Sequence, residues 1–367
     1  VMDRFGQFPT VAQVIGRGET KMSVRTESGF QVDLRVVPAE SFGAALQYFT
    51  GSKEHNVVLR GRAKQRGLKI NEYGVFRIDG EQETYVAGAE EADVYATLGL
   101  PVFPPELREG RHEYEWADGG KLPALIEVAQ IRGDLHMHTT ATDGAASIEE
   151  MISAARKRGL EYIAITDHSQ RVSMARGLDP ERVLAQWREI DEINKRLAGE
   201  FLVLKGIECD ILEKGGMDLP DDVLAQADWV LASVHYGQRQ SREQITERIL
   251  GAIENPHVSA IAHPTGRLIN RREAYEVDLE AVFRAAIQHR KLLELNANPA
   301  RLDLDDIHCA AAAERGIPIV VNTDAHSIDG LDVLRYGILQ ARRAGLTARH
   351  VANTLPWSQL KKLVGKA

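Results

Sequence analysis

The chain has 367 residues, 44% hydrophobic and 27% charged, a globular composition that is too long for one ordinary domain. No apolar run approaches the ~18 residues with which a helix crosses a bilayer, and Val1-Met2-Asp3-Arg4 lacks the basic and apolar regions of a signal peptide, so a soluble cytoplasmic protein is expected. Cys209 and Cys309 stand alone, which excludes a disulfide framework or zinc ribbon. The net charge of -8 hides a basic stretch in which Lys53, Arg60, Arg62, Lys64, Arg66 and Lys69 face only Glu54. Such a stripe suits either several phosphates or a solvated helix face.

Taken in chain order, residues 29–37 alternate apolar and polar side chains and stop at Pro38, as a half-buried strand does, with Asp33 on the polar face. Ser41 caps a short helix through Tyr48, and Thr50-Gly51-Ser52 breaks it before the basic segment. Residues 1–95 thus read as a small α+β region. Residues 101–123 carry four prolines and an excess of acids without a sustained period, which marks a linker.

Beyond the linker, apolar runs alternate with helical stretches about seven times. Runs at 162–165, 201–204, 229–232, 258–262, 292–295 and 317–321 read as buried parallel strands. Ser147-Ile148-Glu149-Glu150 is a capping box whose helix stops at Gly159, and Asp179-Pro180 opens another helix. No glycine-rich phosphate turn follows the first strand, so a closed β/α barrel is favoured over a dinucleotide-binding sheet.

Polar cassettes close these runs: His136, His138 and Asp143, then His168, Glu208, His235, His263, and finally Asp324 with His326. In a barrel these strand ends meet at one mouth. A single strand histidine is ordinarily a satisfied structural residue, but the repeated position at strand ends argues for ligation. Residues i and i+2 share a side of a strand, so His136 with His138, and Asp324 with His326, point together. Nine imidazole and carboxylate ligands exceed the capacity of one ion, so two or three divalent ions are expected, with Glu208 as the bridging carboxylate. Zinc, manganese and iron all suit this ligand set. Ions about 4 Å apart activate water and stabilise the leaving oxygen of a phosphoester. Glu208, Asp167 and Arg267 are the candidate catalytic residues, and Arg176, Arg267 and Arg301 are candidates to hold phosphate. Asp134 and Asp167 each precede a ligand and suit orienting an imidazole. His55, His112, His257, His289, His308 and His350 lack this context and read as surface or structural residues.

The cassettes Asp134 to Thr140 with Asp143-Gly144, Thr166-Asp167-His168, Gly206-Ile207-Glu208, Ser233-Val234-His235, His263-Pro264 and Thr323-Asp324-Ala325-His326 resemble the PHP (polymerase and histidinol phosphatase) family over residues 131–367. That resemblance implies a distorted seven-stranded β/α barrel with a trinuclear site. His136, His138, Glu208 and Asp324 would hold one ion, Glu208, His235 and His263 a second, and Asp143, His168 and His326 a third. Upstream, Gly18-Glu19-Thr20-Lys21, the strand bearing Asp33, and Tyr48-Phe49-Thr50-Gly51-Ser52 with Asn56 resemble the palm end and thumb of a bacterial family X DNA polymerase. The implied division is palm end 1–40, thumb 41–100, linker 101–128 and barrel 129–367.

By the same resemblance Asp33 is the third polymerase carboxylate. Tyr48, Phe49, Gly51, Ser52 and Asn56 lie near the nucleotide, and Arg60, Arg62 and Lys64 serve DNA. Asp33 alone does not assemble a magnesium-dependent polymerase site, because the Asp-x-Asp pair belongs upstream of Val1; the chain reads as a fragment or a polymerase remnant. The implied activity is a manganese- or zinc-dependent 3'-to-5' exonuclease and 3'-end phosphoesterase acting on DNA in repair. A histidinol-phosphate-type phosphatase and a non-catalytic structural module are the competing readings.

Overall fold

The computed structural model describes residues 1–365, which divide into two units, one of residues 1–122 and one that starts at Pro123. In the first, strands β1 (Val11–Arg17), β2 (Lys21–Thr26) and β3 (Gln31–Arg35) form an antiparallel sheet, followed by helices Phe42–Thr50 and Lys53–Gln65. A second antiparallel sheet contains β4 (Leu68–Asn71), β5 (Gly74–Asp79) and β6 (Gln82–Ala87). Ser41 does occupy the N-cap of Phe42–Thr50, yet its hydroxyl donates to the Tyr73 carbonyl instead of capping.

The core of this unit gathers Leu59, Ala63, Tyr95, Phe103 and Tyr114. Phe103 and Tyr114 come from the stretch expected to be a linker. Residues 101–122 are therefore folded against the first unit, with a helix at Glu113–Asp118, and the division falls at Pro123. Prolines broke the helical period without making the segment extended, because its aromatic side chains have a core to fill.

In the second unit, seven parallel strands follow one another in sequence order: β7 (Gly133–Asp134), β8 (Tyr162–Ile165), β9 (Leu202–Asp210), β10 (Trp229–Ser233), β11 (Ala260–Ile261), β12 (Leu292–Asn296) and β13 (Ile319–Asn322). A parallel bridge between Met137 and Ala325 joins the first strand end to the last and closes the barrel. Alternate side chains face opposite ways along each strand. Tyr162, Ala164, Leu204, Trp229, Leu231, Leu292 and Val320 fill the inside, whereas Ile163, Ile165, Val203, Val230, Leu293 and Val321 pack outward with the helices. This two-sided burial explains why the strands read as continuous apolar runs.

Helix starts follow the capping chemistry of the sequence. Ser147 and Glu150 form a reciprocal capping box before Ile148–Lys157, and the Asp179 carboxylate accepts from Arg182 N before Pro180–Leu197. The C-terminal helix Trp357–Leu363 contributes Leu360 to the inner cluster, and Tyr162 at the start of β8 donates to the Leu355 carbonyl. This seals the end of the barrel where the strands begin and leaves the polar strand ends as the functional mouth.

Candidate metal centre

Along β9 and β12 the inward row changes from apolar to charged near the mouth, where Glu208 and Glu294 are buried. A buried carboxylate needs partners, and Glu208 finds only imidazoles. Its Oε2 lies 3.5 Å from His136 Nε2, 3.7 Å from His138 Nε2 and 2.9 Å from His168 Nδ1. Its Oε1 lies 3.4 Å from His235 Nε2 and 2.9 Å from His263 Nε2. Asp324 Oδ1 is 3.1 Å from His138 Nε2 and 3.4 Å from His136 Nε2. At the rim, Asp143 Oδ2 stands 3.5 Å from both His168 Nε2 and His326 Nε2. All nine expected ligands thus surround a pocket of about 410 Å³ or its floor.

Only part of these distances are hydrogen bonds: His138 Nε2 pairs with Asp324 Oδ1 and His263 Nε2 with Glu208 Oε1. His136 Nε2, His138 Nδ1, His168 Nδ1 and Glu208 Oε2 are buried with no hydrogen-bond partner, although His168 Nδ1 and Glu208 Oε2 lie within 2.9 Å of each other. Buried polar atoms that crowd together with their bonding capacity unmet suit shared cations, and the nitrogen and oxygen donor set fits divalent metal ions. Three clusters have donor atoms close enough for one ion: His138, Asp143, His168 and His326; His136, His138 and Asp324; and His168, Glu208 and His235. This grouping differs from the expected sets in sharing His138 and His168 between clusters and leaving His263 on Glu208 alone.

Electrostatics tell the same story. Burial disfavours charge on Glu208, but His235, His136 and His168 hold its carboxyl well below the ordinary range. Asp324 is held down likewise by His136 and His138. Burial would lower His168 too, yet Glu208 and Asp143 raise its pKa to about 10. His138, buried and facing His168 and His326, falls to about 4. Protons therefore occupy the place that metal charge would take. Two of the nine candidates also have left-handed backbone, with φ of 29° at His263 and 54° at Asp324. Such strain costs about 1–3 kcal/mol per residue and is typical of functional positions.

A surrounding shell orients the ligands. Glu294 accepts from His136 Nδ1 at 2.7 Å, from the His263 backbone N–H at 2.8 Å and from Asn322 Nδ2 at 2.9 Å. Asp210 accepts from the His235 backbone N–H and sits 3.2 Å from its Nδ1. Asp134 accepts from Thr323 N–H and hydroxyl, tying β7 to β13; burial raises its pKa to about 6. Sequence reasoning passed over Glu294 and Asp210. Their signal was a lone acid inside the run Leu292-Leu293-Glu294-Leu295, and an acid two residues past Glu208 on the same side of the strand.

Two catalytic expectations are corrected. Asp167 accepts from Thr139 N–H and hydroxyl, the Thr142 hydroxyl and Gln186 Nε2, so its oxygens are occupied in holding the loop that carries Asp143. It is a positioning residue. Arg267 is turned away from the ligands: it donates to the carbonyls of Arg301 and Leu302 and stands 3.6 Å from Asp305. Arg176 is bound to the Thr142 carbonyl. Arg301 is the arginine that lines the metal pocket, with Nε 3.4 Å from Asp324 Oδ2 and a buried, unpartnered Nη1.

Of the first-unit candidates, Asp33 and Phe49 line a hollow of about 680 Å³ together with Arg35, and Tyr48 and Phe49 stand edge to face at 5.1 Å. Hydrogen bonds with Ser23 and Gln31 lower the Asp33 carboxyl. Ser52 caps Lys53–Gln65 by accepting from His55 N–H, and Gly51 has φ of 74°. Asn56 departs from expectation: it is buried, accepts from Gln47 and donates to the Tyr48 carbonyl, which bends the chain rather than presenting an amide to a base. Arg62 is held bidentately by Asp118 at 2.7 Å, which leaves Arg60 and Lys64 as the exposed basic groups of the three.

Two family models match the chain: "DNA polymerase beta thumb" over residues 45–109 and "PHP domain" over residues 134–298. The chain is 45% identical over 357 residues to the DNA polymerase/3'-5' exonuclease PolX of Bacillus subtilis, covering 96% of this chain and 61% of that protein. It is 30% identical over 232 residues to a probable phosphatase of Thermoanaerobacter, covering 60% of this chain and 89% of that one. A histidinol phosphate phosphatase structure from Lactococcus lactis aligns at 18% identity and TM-score 0.39 over 57% of this chain and 93% of its own. No helix among the described residues is long and apolar enough to cross a membrane. On the thumb match, the barrel with its clustered histidines and carboxylates, and these identities, the chain belongs to the PHP-domain family and is similar over 96% of its length to a bacterial PolX, of which it spans 61%.

Proposed function

We propose that the barrel is a metal-dependent phosphodiesterase that trims DNA from the 3' end, a 3'-to-5' exonuclease and 3'-end phosphoesterase serving repair. The observation that carries this reading is the crowding of the buried, unpartnered His136 Nε2 and His168 Nδ1 against Glu208 Oε2. His136, His138, His168, His235, His263, His326, Asp143, Glu208 and Asp324 would hold three divalent ions, with manganese the first expectation and zinc its competitor. Such ions polarise the phosphoryl group and make water nucleophilic at neutral pH.

The chain's own residues do the rest. Glu208 divides its two oxygens between the His136, His138 and His168 side and the His235 and His263 side, so the sub-sites are kept in fixed register. Glu294 and Asp210 fix the rings of His136 and His235. Arg301 offers its unpartnered Nη1 to a non-bridging phosphate oxygen and offsets charge as the reaction proceeds. In that reaction the oxygen of water adds to phosphorus, the ester bond breaks, and the departing oxygen takes up a proton. The exposed Arg60 and Lys64 are proposed to hold the duplex backbone.

Purified chain supplied with Mn²⁺ is expected to shorten a 3'-labelled gapped duplex, and His136→Ala to leave it intact. An intact duplex with both proteins sinks the nuclease reading. The extensive match to a probable phosphatase favours a second reading, a small-molecule phosphatase of the histidinol-phosphate type. Faster turnover of histidinol phosphate than of DNA ends would establish it instead.

A further inference from the structure

Past His235 the metal pocket gives way to a second hollow of about 590 Å³, in whose wall stand Tyr236, Arg239, Arg272, Glu273 and Tyr275. His235 belongs to both cavities, so whatever occupies the second one touches the metal centre's edge. None of the other wall residues takes part in ligation, and a phosphomonoester bound at the metals has no use for them.

The hollow is a built feature. The guanidinium of Arg171 covers one face of Tyr236, 4.3 Å from the ring centroid, and Arg171 is itself held by Glu213. Underneath, the buried Arg248 donates to the carbonyls of Tyr236 and Ile211 and to Gln240, so the loop carrying Tyr236 and Arg239 is fixed from below. Tyr236 is thus a half-buried aromatic ring set rigidly in the wall. Arg272 is anchored by donating Nε and Nη2 to the Gly266 carbonyl. Arg239 is exposed and has no ion-pair partner among the described residues. With two arginines against the single acid Glu273, the wall carries net positive charge. A rigid aromatic face beside an unpaired guanidinium is the pair of contacts that a base and its phosphate call for.

We propose that this hollow is a second nucleotide subsite: it receives the nucleotide on the chain side of the scissile phosphate, with the base against Tyr236 and the next phosphate on Arg239. The proposal rests on the phosphodiesterase reading above and deepens it, because it makes single-stranded polynucleotide ends, rather than phosphomonoesters, the substrate class that the pocket is shaped for.

The test compares two substrates on the Mn²⁺-loaded full chain. One is a 5'-labelled single-stranded oligonucleotide; the other is the p-nitrophenyl ester of thymidine 5'-monophosphate, which has one phosphodiester and no neighbouring nucleotide. Arg239→Ala is expected to raise KM for the oligonucleotide about fivefold to tenfold and to reduce the slope of log affinity against log salt by about one. Tyr236→Leu is expected to lower the oligonucleotide-to-ester ratio of kcat/KM by a similar factor. Metal content, measured on each variant, is expected to equal that of the wild type, which separates a lost contact from a damaged centre. If the wild type cleaves both substrates and Arg239→Ala keeps its KM and salt slope on the oligonucleotide, the subsite is refuted while the phosphodiesterase stands. If the wild type cleaves neither, the phosphodiesterase reading falls and the subsite with it.

Discussion

Glu294 shows how far the proposed metal centre would depend on a residue that is not one of its candidate ligands. Its Oε1 takes His136 Nδ1 and Asn322 Nδ2, and its Oε2 takes the His263 backbone N–H, so two ligands from different strands are set by one carboxylate. With Nδ1 committed, only Nε2 of His136 faces Glu208 and Asp324. Glu294→Gln keeps the volume and loses the charge, so metal affinity measured by equilibrium dialysis is expected to fall about 10–100-fold, with the fold retained by circular dichroism. Unchanged affinity would reduce Glu294 to a filler of the barrel.

At the same scale, pH controls loading. Without metal, His168 is held protonated by Glu208 and Asp143 up to a pKa of about 10, and His136, His235 and His326 are raised as well. Each must lose its proton to ligate. Affinity for Mn²⁺ is therefore expected to rise with pH between 6 and 8, by about tenfold per pH unit for each proton released. Proton release on titration, read in buffers of different ionisation enthalpy, checks the sign; metal uptake without proton release contradicts it.

Among the elements, β9 carries the largest constraint. Gly206 lies where a Cβ would come 2.5 Å from the Ile165 carbonyl oxygen, and its own carbonyl accepts from Trp187 Nε1 at 3.0 Å. This close approach of β9 to β8 delivers Glu208, two residues on, beside His168. Gly206→Ala is expected to cost about 1–3 kcal/mol in urea unfolding and to lower metal content, because backbone must move. Gly251, on the exposed side of helix Arg242–Glu254 with open space around its would-be Cβ, is the contrast. Gly251→Ala is expected to stabilise by about 0.5–1 kcal/mol. Equal effects of the two substitutions would show that the strand approach is not a constraint.

Legibility in the sequence also divides by element. Strand ends could be read because strands buried on both sides appear as apolar runs, and a histidine or acid directly after such a run stands out. Even β7 and β11, only two residues long, were placed by the cassettes that follow them. The choice between Arg267 and Arg301 was not readable, since both are loop arginines. It is made by the turn at 298–302, where Leu302 takes φ of 44° and the Arg301 and Leu302 carbonyls capture Arg267, leaving Arg301 to enter the pocket. Residues 101–122 misled for the opposite reason: proline and acid content described their surface, whereas Phe103 and Tyr114 decided their burial.

For the whole molecule, the division of cores matters more than the division of sequence. Residues 1–122 hold their own apolar cluster around Tyr95, Phe103 and Tyr114, while all nine candidate metal ligands belong to the second unit. A ligand that binds only the folded state stabilises by RT ln(1 + [L]/Kd), about 2.7 kcal/mol at a hundredfold excess over Kd. That stabilisation reaches the elements whose opening would dismantle the site. Hydrogen exchange followed by mass spectrometry, with and without Mn²⁺, is therefore expected to show slower exchange at amides of β9, β10 and β13 and of the loop around Asp143. Amides of β1 to β6 are expected to exchange at the same rate in both conditions. Protection spreading equally through residues 1–122 would mean that metal binding is linked to folding of the whole chain, and would overturn the assignment of the site to the barrel alone.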